Sequence, residues 1–304
     1  MLLRDMMRGE DAQIAATLRV LAAADADIVA LQGIDWDADH RALAWLAEMS
    51  DYPHVFAGPP NAGLMTKLDL DGDRRTGRAS DAQGWGRFYG DGAMALLSRF
   101  PIVAADVQDF TTLLWRDVPD AVLPEVDGAP FPSEAAQEIQ RLSNVAHWAV
   151  PIDLPDGRRL TVLNFHAAPP VFDGPEDRND LRNGDEIRLW TLFLDRGFGT
   201  PVEGLVAVLG NANLDPLKGE GRHSAIQDLL SHERLQDPAP VGFDGPNTVD
   251  WTEPTPGNLS VSYVLPDARL CVLGAGVMWP APEDPLHADV VAASRHRLVW
   301  VDVE

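Results

Sequence analysis

The stretch Ala93-Met94-Ala95-Leu96-Leu97-Ser98-Arg99-Phe100-Pro101-Ile102 decides how this chain is read. Five apolar residues run unbroken from Ala93 to Leu97, which reads as a buried strand. Ser98 to Ile102, with Pro101 inside it, closes that strand. Towards the N-terminus, Ile28-Val29-Ala30-Leu31 reads as a second buried strand. A helix over 10–24 precedes it, with Ile14, Leu18 and Leu21 at helical spacing and Asp25-Ala26-Asp27 ending it. A second helix follows, with Asp37 or Asp39 as N-cap and Ala42, Leu43, Trp45 and Leu46 as its apolar side, and then a strand from Tyr52 to Ala57.

Residues 58–91 form a long connection rich in Gly and Asp, of a length that is usually functional or disordered. A second loop, rich in Pro and acidic residues, covers 116–140. Further strands are predicted at Val145–Ile152, Leu160–Phe165, Leu205–Leu209, Leu259–Leu265, Cys271–Val277 and Leu298–Val303, with helices over 183–195 and 222–231. Strands outnumber helices too heavily for a regular βα alternation, and two stacked sheets flanked by helices fit better. There are no clear internal repeats, and the 304 residues are read as a single domain.

Composition bounds the partners. Forty-seven Asp and Glu stand against 24 Lys and Arg, a formal net charge of −23. That field repels a phosphate backbone, and no Lys/Arg run is long enough to make a basic groove, so nucleic acid is a poor substrate. An acidic surface that keeps the protein soluble is the plainer reading. The lone Cys271 excludes an internal disulfide and, inside Leu270-Cys271-Val272-Leu273, reads as a small core residue. No window reaches the ~18 uninterrupted apolar residues of a membrane span. The N-terminus lacks a charged-then-apolar signal pattern, so the chain is expected in the cytoplasm, or secreted or periplasmic if a leader lies outside this sequence. The oligomeric state is left open.

Six segments in order are similar to one superfamily, the endonuclease/exonuclease/phosphatase (DNase I-like) proteins. They are Asp27–Gln32, Ala93–Ile102, Leu163-Asn164-Phe165-His166, Leu209-Gly210-Asn211-Ala212-Asn213, Ser260–Leu265 and Ser294-Arg295-His296-Arg297-Leu298-Val299. Pro169–Asn179 and Gly276–Pro282 look like a bacterial branch of it. The resemblance implies an α+β fold: a four-layer αββα sandwich of two mostly antiparallel sheets, here lacking the first strand. That absence would leave a neighbouring strand with an exposed edge, favouring a dimer or instability.

The resemblance also implies phosphate-ester cleavage with a carboxylate-held Mg²⁺-type ion. This chain departs at nearly every carboxylate. The implied metal-binding Glu is Gly33, and the Asp that activates water is Asn211. The Asp that pairs with a histidine is Ser262, with Ser260 for its accompanying Arg, and the Asp before the last histidine is Arg295. His166, Asn213 and His296 remain, and with Asn211 they are the expected catalytic-site residues. Asp35 and Asp37 either compensate as ligands or start and cap the next helix. The usual Mg²⁺ site is therefore doubtful. Arg295 beside His296, with His166 opposite, suits a small anionic ligand held without metal, with Asp35 and Asn183 nearby; alternatively Arg295 pairs with an acidic neighbour.

Asp69-Leu70-Asp71-Gly72-Asp73 places carboxylates at alternate positions, with Asp81 further on. It is not a complete EF-hand loop, since Arg74 stands where that loop needs Gly and Ser80 occupies its last position. Either it binds calcium or it is a solvated acidic turn. Gln83–Gly90 interleaves glycines with Trp85, Phe88 and Tyr89, and either covers a pocket mouth or tucks its aromatics into the core. Asp173, Asp177, Asn179, Asp185 and Glu186 are secondary candidates, with helix capping an equal explanation for Asp185. Two functions compete: a hydrolase of small anionic substrates with an altered site, and a pseudoenzyme that keeps the fold as a binding or scaffold protein. A nuclease is disfavoured by the charge.

Overall fold

Two helices lead the chain, α1 (Leu2–Arg8) and α2 (Ala12–Ala24). Asp11 starts the second: its carboxylate accepts from the Gln13 and Ile14 amides at 2.9 and 3.0 Å. Asp25, in left-handed backbone at φ 48°, ends it. The computed structural model describes residues 2–251 and 254–304. β1 (Ile28–Ile34), α3 (Arg41–Met49), β2 (His54–Phe56) and β3 (Ala93–Ser98) follow. Asp37 caps α3 by accepting from the Arg41 and Ala42 amides at 2.9 and 3.0 Å. Then come β4 (Gln108–Asp109), the short hairpin β5 (Glu125–Val126) and β6 (Ala129–Pro130), α4 (Glu134–Ile139), β7 (His147–Asp153), β8 (Arg159–His166) and α5 (Arg178–Leu194). β9 (Leu205–Asn211), α6 (His223–Leu230), β10 (Ser262–Pro266), β11 (Val272–Val277), α7 (His287–Ala293) and β12 (Val299–Val303) complete the chain.

One sheet has the order β10-β9-β8-β7-β4, antiparallel except for the parallel pair β8–β9. The opposing layer comes in two pieces, β1-β3-β2 and β11-β12. β3 is buried at every position because it lies between the layers and the helices. Its Met94 and Leu96 join Trp148, Val150, Val162 and Leu209 in the core between the sheets. Its Ala95 and Leu97 pack outward with Leu21, Leu43 and Leu46 of α2 and α3. On the far side, Phe165 and Val208 pack against Ile187, Trp190 and Phe193 of α5 and Ile226 of α6. These layers are the four of an αββα sandwich.

Three expectations are corrected. Cys271 is exposed, because strand alternation turns it outward beside the buried Leu270. α5 begins at Arg178 rather than at residue 183, so Asp185 lies inside the helix and caps nothing; its Oδ2 accepts from Trp115 Nε1 at 2.7 Å. Residues 58–91 are neither structureless nor disordered. Asn61, fully buried, donates its amide to Thr111 O and Ser143 O, both at 2.7 Å, and Leu70, Asp81 and Ala82 are buried with it.

Candidate active site

Register sets the site. His166 at the end of β8 lies beside Asn211 at the end of β9, and Asn211 beside Ser262 at the start of β10. Gln32 of β1 approaches from the other layer, donating its amide to Asn164 Oδ1 at 3.1 Å. His296 comes from the segment before β12, bridged to Val249, with Trp251 edge-on to its ring at 5.9 Å. His166, Asn211, Ser262, His296 and Gln32 line one end of a long cleft of about 1300 Å³.

The Asn211 amide has one orientation. Its Oδ1 accepts from the Asn213 backbone N–H at 3.0 Å, so its Nδ2 faces His166 Nε2 at 3.2 Å and Asn213 Oδ1 at 3.1 Å. Asn213 sits in left-handed backbone at φ 51° and returns its own amide to Ala167 O at 2.8 Å. His166 therefore accepts at Nε2 and carries its proton on Nδ1, which is buried and unpartnered. Burial, and then the nearby His296, push His166 down to about 4. Burial, and then the Arg297 guanidinium, push His296 down to about 4. Both rings are neutral at pH 7.

Arg297, and not Arg295, is the cation at this end of the cleft. It is buried, stacks 4.6 Å over Trp279 and pairs with Asp250 at 2.7 Å, leaving Nε without a partner. Arg295 is exposed, outside the cleft lining, and makes no ion pair among the described residues. Asp35 also lies outside the lining, its Oδ1 3.4 Å from the Gly92 amide. Asn183 is fully buried behind the site, donating to Ala168 O at 2.6 Å and Ala212 O at 2.7 Å. It ties together the segments that follow His166 and Asn211.

Glu186 does related work from the same helix. Its two oxygens accept from the Asn144 amide at 2.6 Å and the Ala168 amide at 2.7 Å. Burial pushes it up to about 7, against the lowering by Arg182 and those two amides. Arg182, itself buried, donates to Leu142 O at 2.7 Å and Gln83 O at 2.6 Å. Sequence reasoning names Asn183 as a ligand and Glu186 as a secondary site residue, and passes over Arg182, Gln32 and Asn164. The signal was a helix whose first half carries polar residues on every side, a pattern that a free surface helix does not need.

Gly33 has φ +83° and interrupts the β1–β3 register between Gln32 and Ile34. It forms a bulge that any side chain would strain. With Gly33, Asn211 and Ser262 at the key positions, the described residues lining this end of the cleft bring neutral hydrogen-bonding groups and the Arg297 cation, and no carboxylate. That set does not fit a hard divalent ion, which takes charged oxygen ligands.

A separate acidic cluster exists in the 58–91 connection. Carboxylate oxygens of Asp69, Asp71 and Asp81 lie within 4.8 Å of one another. Asp73 is not among them: its Oδ2 pairs with Arg78 at 2.8 Å and its Oδ1 accepts from the Arg75 amide. In the neighbouring loop Trp85, Phe88 and Tyr89 are exposed rather than tucked into the core, with Tyr89 edge-on to Trp36 at 5.3 Å.

A family model described as the Endonuclease/Exonuclease/phosphatase family matches residues 7–296. An endonuclease/exonuclease/phosphatase from Beutenbergia cavernae superposes with a TM-score of 0.59 at 16% identity, covering 96% of this chain and 66% of that one, so the chain spans just under two thirds of its length. An endonuclease/exonuclease/phosphatase family protein from Leptotrichia buccalis gives 0.57 at 17% identity, covering 96% and 92%. The human Nocturnin catalytic domain, with bound sulfate anion, gives 0.51 at 16% identity, covering 96% and 86%. At such identities the likeness is one of fold. No curated protein matches.

Proposed function

We propose, from the premise that this chain belongs to the endonuclease/exonuclease/phosphatase family, that it binds a small phosphate-ester-like anion at the His166–Asn211–His296 end of its cleft and no longer runs carboxylate-held divalent-ion chemistry there. One observation carries the reading. Among the described residues, the polar side chains lining that end include no carboxylate, so they offer hydrogen bonds to an anion and no charged oxygen to a hard cation. Asn211, Asn213 and Ser262 supply donors, and Arg297 supplies positive charge from behind. Both imidazoles gain from taking up a proton beside an anion.

The test is calorimetric titration with inorganic phosphate and with p-nitrophenyl phosphate, on the parent and on His166→Ala. Binding heat that His166→Ala removes, with no hydrolysis stimulated by Mg²⁺ or Mn²⁺, is the expected result. Metal-stimulated turnover overturns it. Absence of both heat and turnover in a folded sample leaves the pseudoenzyme, a scaffold that has kept only the shape.

Asp69, Asp71 and Asp81 are proposed as a second, independent site that takes Ca²⁺ and orders its loop. Support comes from their convergence and from oxygen-only donors, which suit that ion.

A further inference from the structure

His166 and Asn211 are the last paired residues of β8 and β9. Beyond them the two chains leave the sheet as separate loops, so the sheet alone does not fix how the two side chains stand against each other. One backbone bond, from Ala167 N to Asn211 O at 2.9 Å, carries the pairing a single residue further. After that the loops are held by a helix. Asp180, Asn183 and Glu186 follow at three-residue spacing along one side of α5, and all three are buried.

Each of the three grips loop backbone. Asn183 Nδ2 donates to Ala168 O at 2.6 Å and to Ala212 O at 2.7 Å. The first carbonyl lies two residues past His166 and the second one residue past Asn211. Glu186 accepts from the Ala168 N–H at 2.7 Å, so Ala168 is held at both its N–H and its C=O from the same helix. The other Glu186 oxygen accepts from the Asn144 N–H at 2.6 Å. Asp180 accepts from the Arg222 amide at 2.7 Å, where the loop that begins at Ala212 meets α6. The helix comes this close because Ala167, Ala168 and Ala212 are small, and because Gly184 carries no Cβ, which would stand 3.3 Å from Arg222 Cδ.

Folding alone does not require these residue types. A buried carboxylate loses its hydration, and burial is the largest influence on Glu186. Asn183 leaves its Oδ1 buried without a partner among the described residues, which destabilises the interior. Groups kept against stability concentrate where function needs a geometry. The geometry held here is that between two loops, and each loop leaves the sheet at a site residue. We propose that Asn183 and Glu186 are positioning residues of the anion site: through the Ala168 and Ala212 backbone they set where His166 stands against Asn211. The proposal rests on the reading of that end of the cleft as an anion site. The path is short. Asn213 Nδ2 donates to Ala167 O at 2.8 Å, and its Oδ1 accepts from Asn211 Nδ2 at 3.1 Å. A shift of residues 167–168 against 211–213 is therefore felt directly at the Asn211–His166 bond.

The test follows the His166–Asn211 bond itself. In the parent, nitrogen NMR of the His166 ring should show Nδ1 protonated and Nε2 accepting. Asn183→Leu keeps the size and removes both donors. Glu186→Gln keeps the shape and turns one accepting oxygen into a donor. Each should give a mixture of His166 tautomers. Inorganic phosphate, titrated by calorimetry, should bind roughly tenfold or more weakly, the scale on which outer hydrogen-bonding partners act at metal sites. Trp115→Phe is the control. It removes another buried bond to α5, from Trp115 Nε1 to Asp185 Oδ2 at 2.7 Å, outside both loops. It should lower the melting temperature too, yet leave the tautomer and the phosphate affinity as in the parent. A single His166 tautomer in both Asn183→Leu and Glu186→Gln overturns the proposal. So does a mixture of the same size in Trp115→Phe, since any loosening of α5 would then reach the site. If Asn183→Leu does not fold, Glu186→Gln decides alone. A parent that binds no phosphate, with the tautomer lost in the variants, sinks the anion reading and upholds the positioning of His166, because the tautomer is read without ligand.

Discussion

Asn211 Nδ2 donates to His166 Nε2 across 3.2 Å, in an orientation fixed by the Asn213 backbone amide. This bond fixes the tautomer of His166, with its proton turned inward on Nδ1, while burial keeps the ring neutral. An aspartate at the same position would keep the Asn213 contact, lose the donor and place a negative charge beside the ring. Asn211→Asp should therefore raise His166 from about 4 by roughly 1–3 pH units. An NMR titration of the His166 Cε1 proton reads this directly. A midpoint that stays near 4 would show that burial alone governs the ring.

Anion binding should tighten as pH falls. His166 and His296 both sit near 4 in the free protein. An anion favours the imidazolium and raises both, so binding takes up protons between those values and neutrality. Affinity for inorganic phosphate should rise from pH 7 to pH 5, by up to roughly tenfold per pH unit for each proton taken up. Titrations in two buffers of different ionisation enthalpy count the protons. A pH-independent affinity would place the anion away from both rings.

Much of the fold was legible because long apolar runs carry it. The buried strands around Leu96, Val162 and Val208 announce themselves, and so does the helix that presents Leu18 and Leu21. Short helices did not. α7, whose first turn is His-Ala-Asp-Val, shows too little periodicity to stand out, and it is held by packing on Val20 and Ala16 rather than by its own sequence. At the site, positions tied to strand ends are readable, and His166, Asn211 and His296 do line one end of the cleft. Arg295 and Arg297 are not separable in the sequence, because one residue in an extended segment changes the face it presents, and Arg297 holds the inward position. The sequence marks Glu186 as a candidate without showing that it grips the backbone at two loops, since that needs the tertiary approach of Asn144 and Ala168 to one helix.

The Asp69–Asp71–Asp81 cluster should respond to calcium. Backbone amides already serve it: Gly72 and Arg74 donate to Asp69, both at 2.7 Å, and Leu70 and Arg78 to Asp81 at 3.1 and 2.9 Å. Each carboxylate still has acceptor positions to spare. Excess CaCl₂ should raise the melting temperature over an EDTA-treated sample by several degrees, with stabilisation growing with the logarithm of free calcium. Asp71→Asn should blunt the rise, and Asp73→Asn, whose side chain bonds Arg78 and the Arg75 amide rather than the cluster, should not. An identical melting point in calcium and EDTA returns the loop to a solvated turn.

Stability against pH follows from buried groups with opposite signs. Burial pushes His147 down to about 3; it lies wholly inside, between Ser143 Oγ at 2.8 Å and the Glu186 carbonyl at 2.9 Å. Its folded value is depressed below the unfolded one near 6.5, so the unfolded chain binds the extra proton as pH falls, and stability drops from about 6.5 downward. Between pH 6.5 and 4 this one residue should remove on the order of 3 kcal/mol, and His166 and His296 act in the same direction. Glu186 is the reverse case. Its folded value near 7 lies above the usual carboxylate range, so its contribution is present at low pH and lost as pH rises through 7. A stability maximum near pH 6 to 7 is expected, falling more steeply on the acid side because three histidines oppose one glutamate. His147→Gln, which cannot protonate, should flatten the acid limb in chemical denaturation at pH 4.5 to 6.5 and leave the slope above pH 7 unchanged. An acid limb that stays as steep in that variant would assign the loss to the other buried groups.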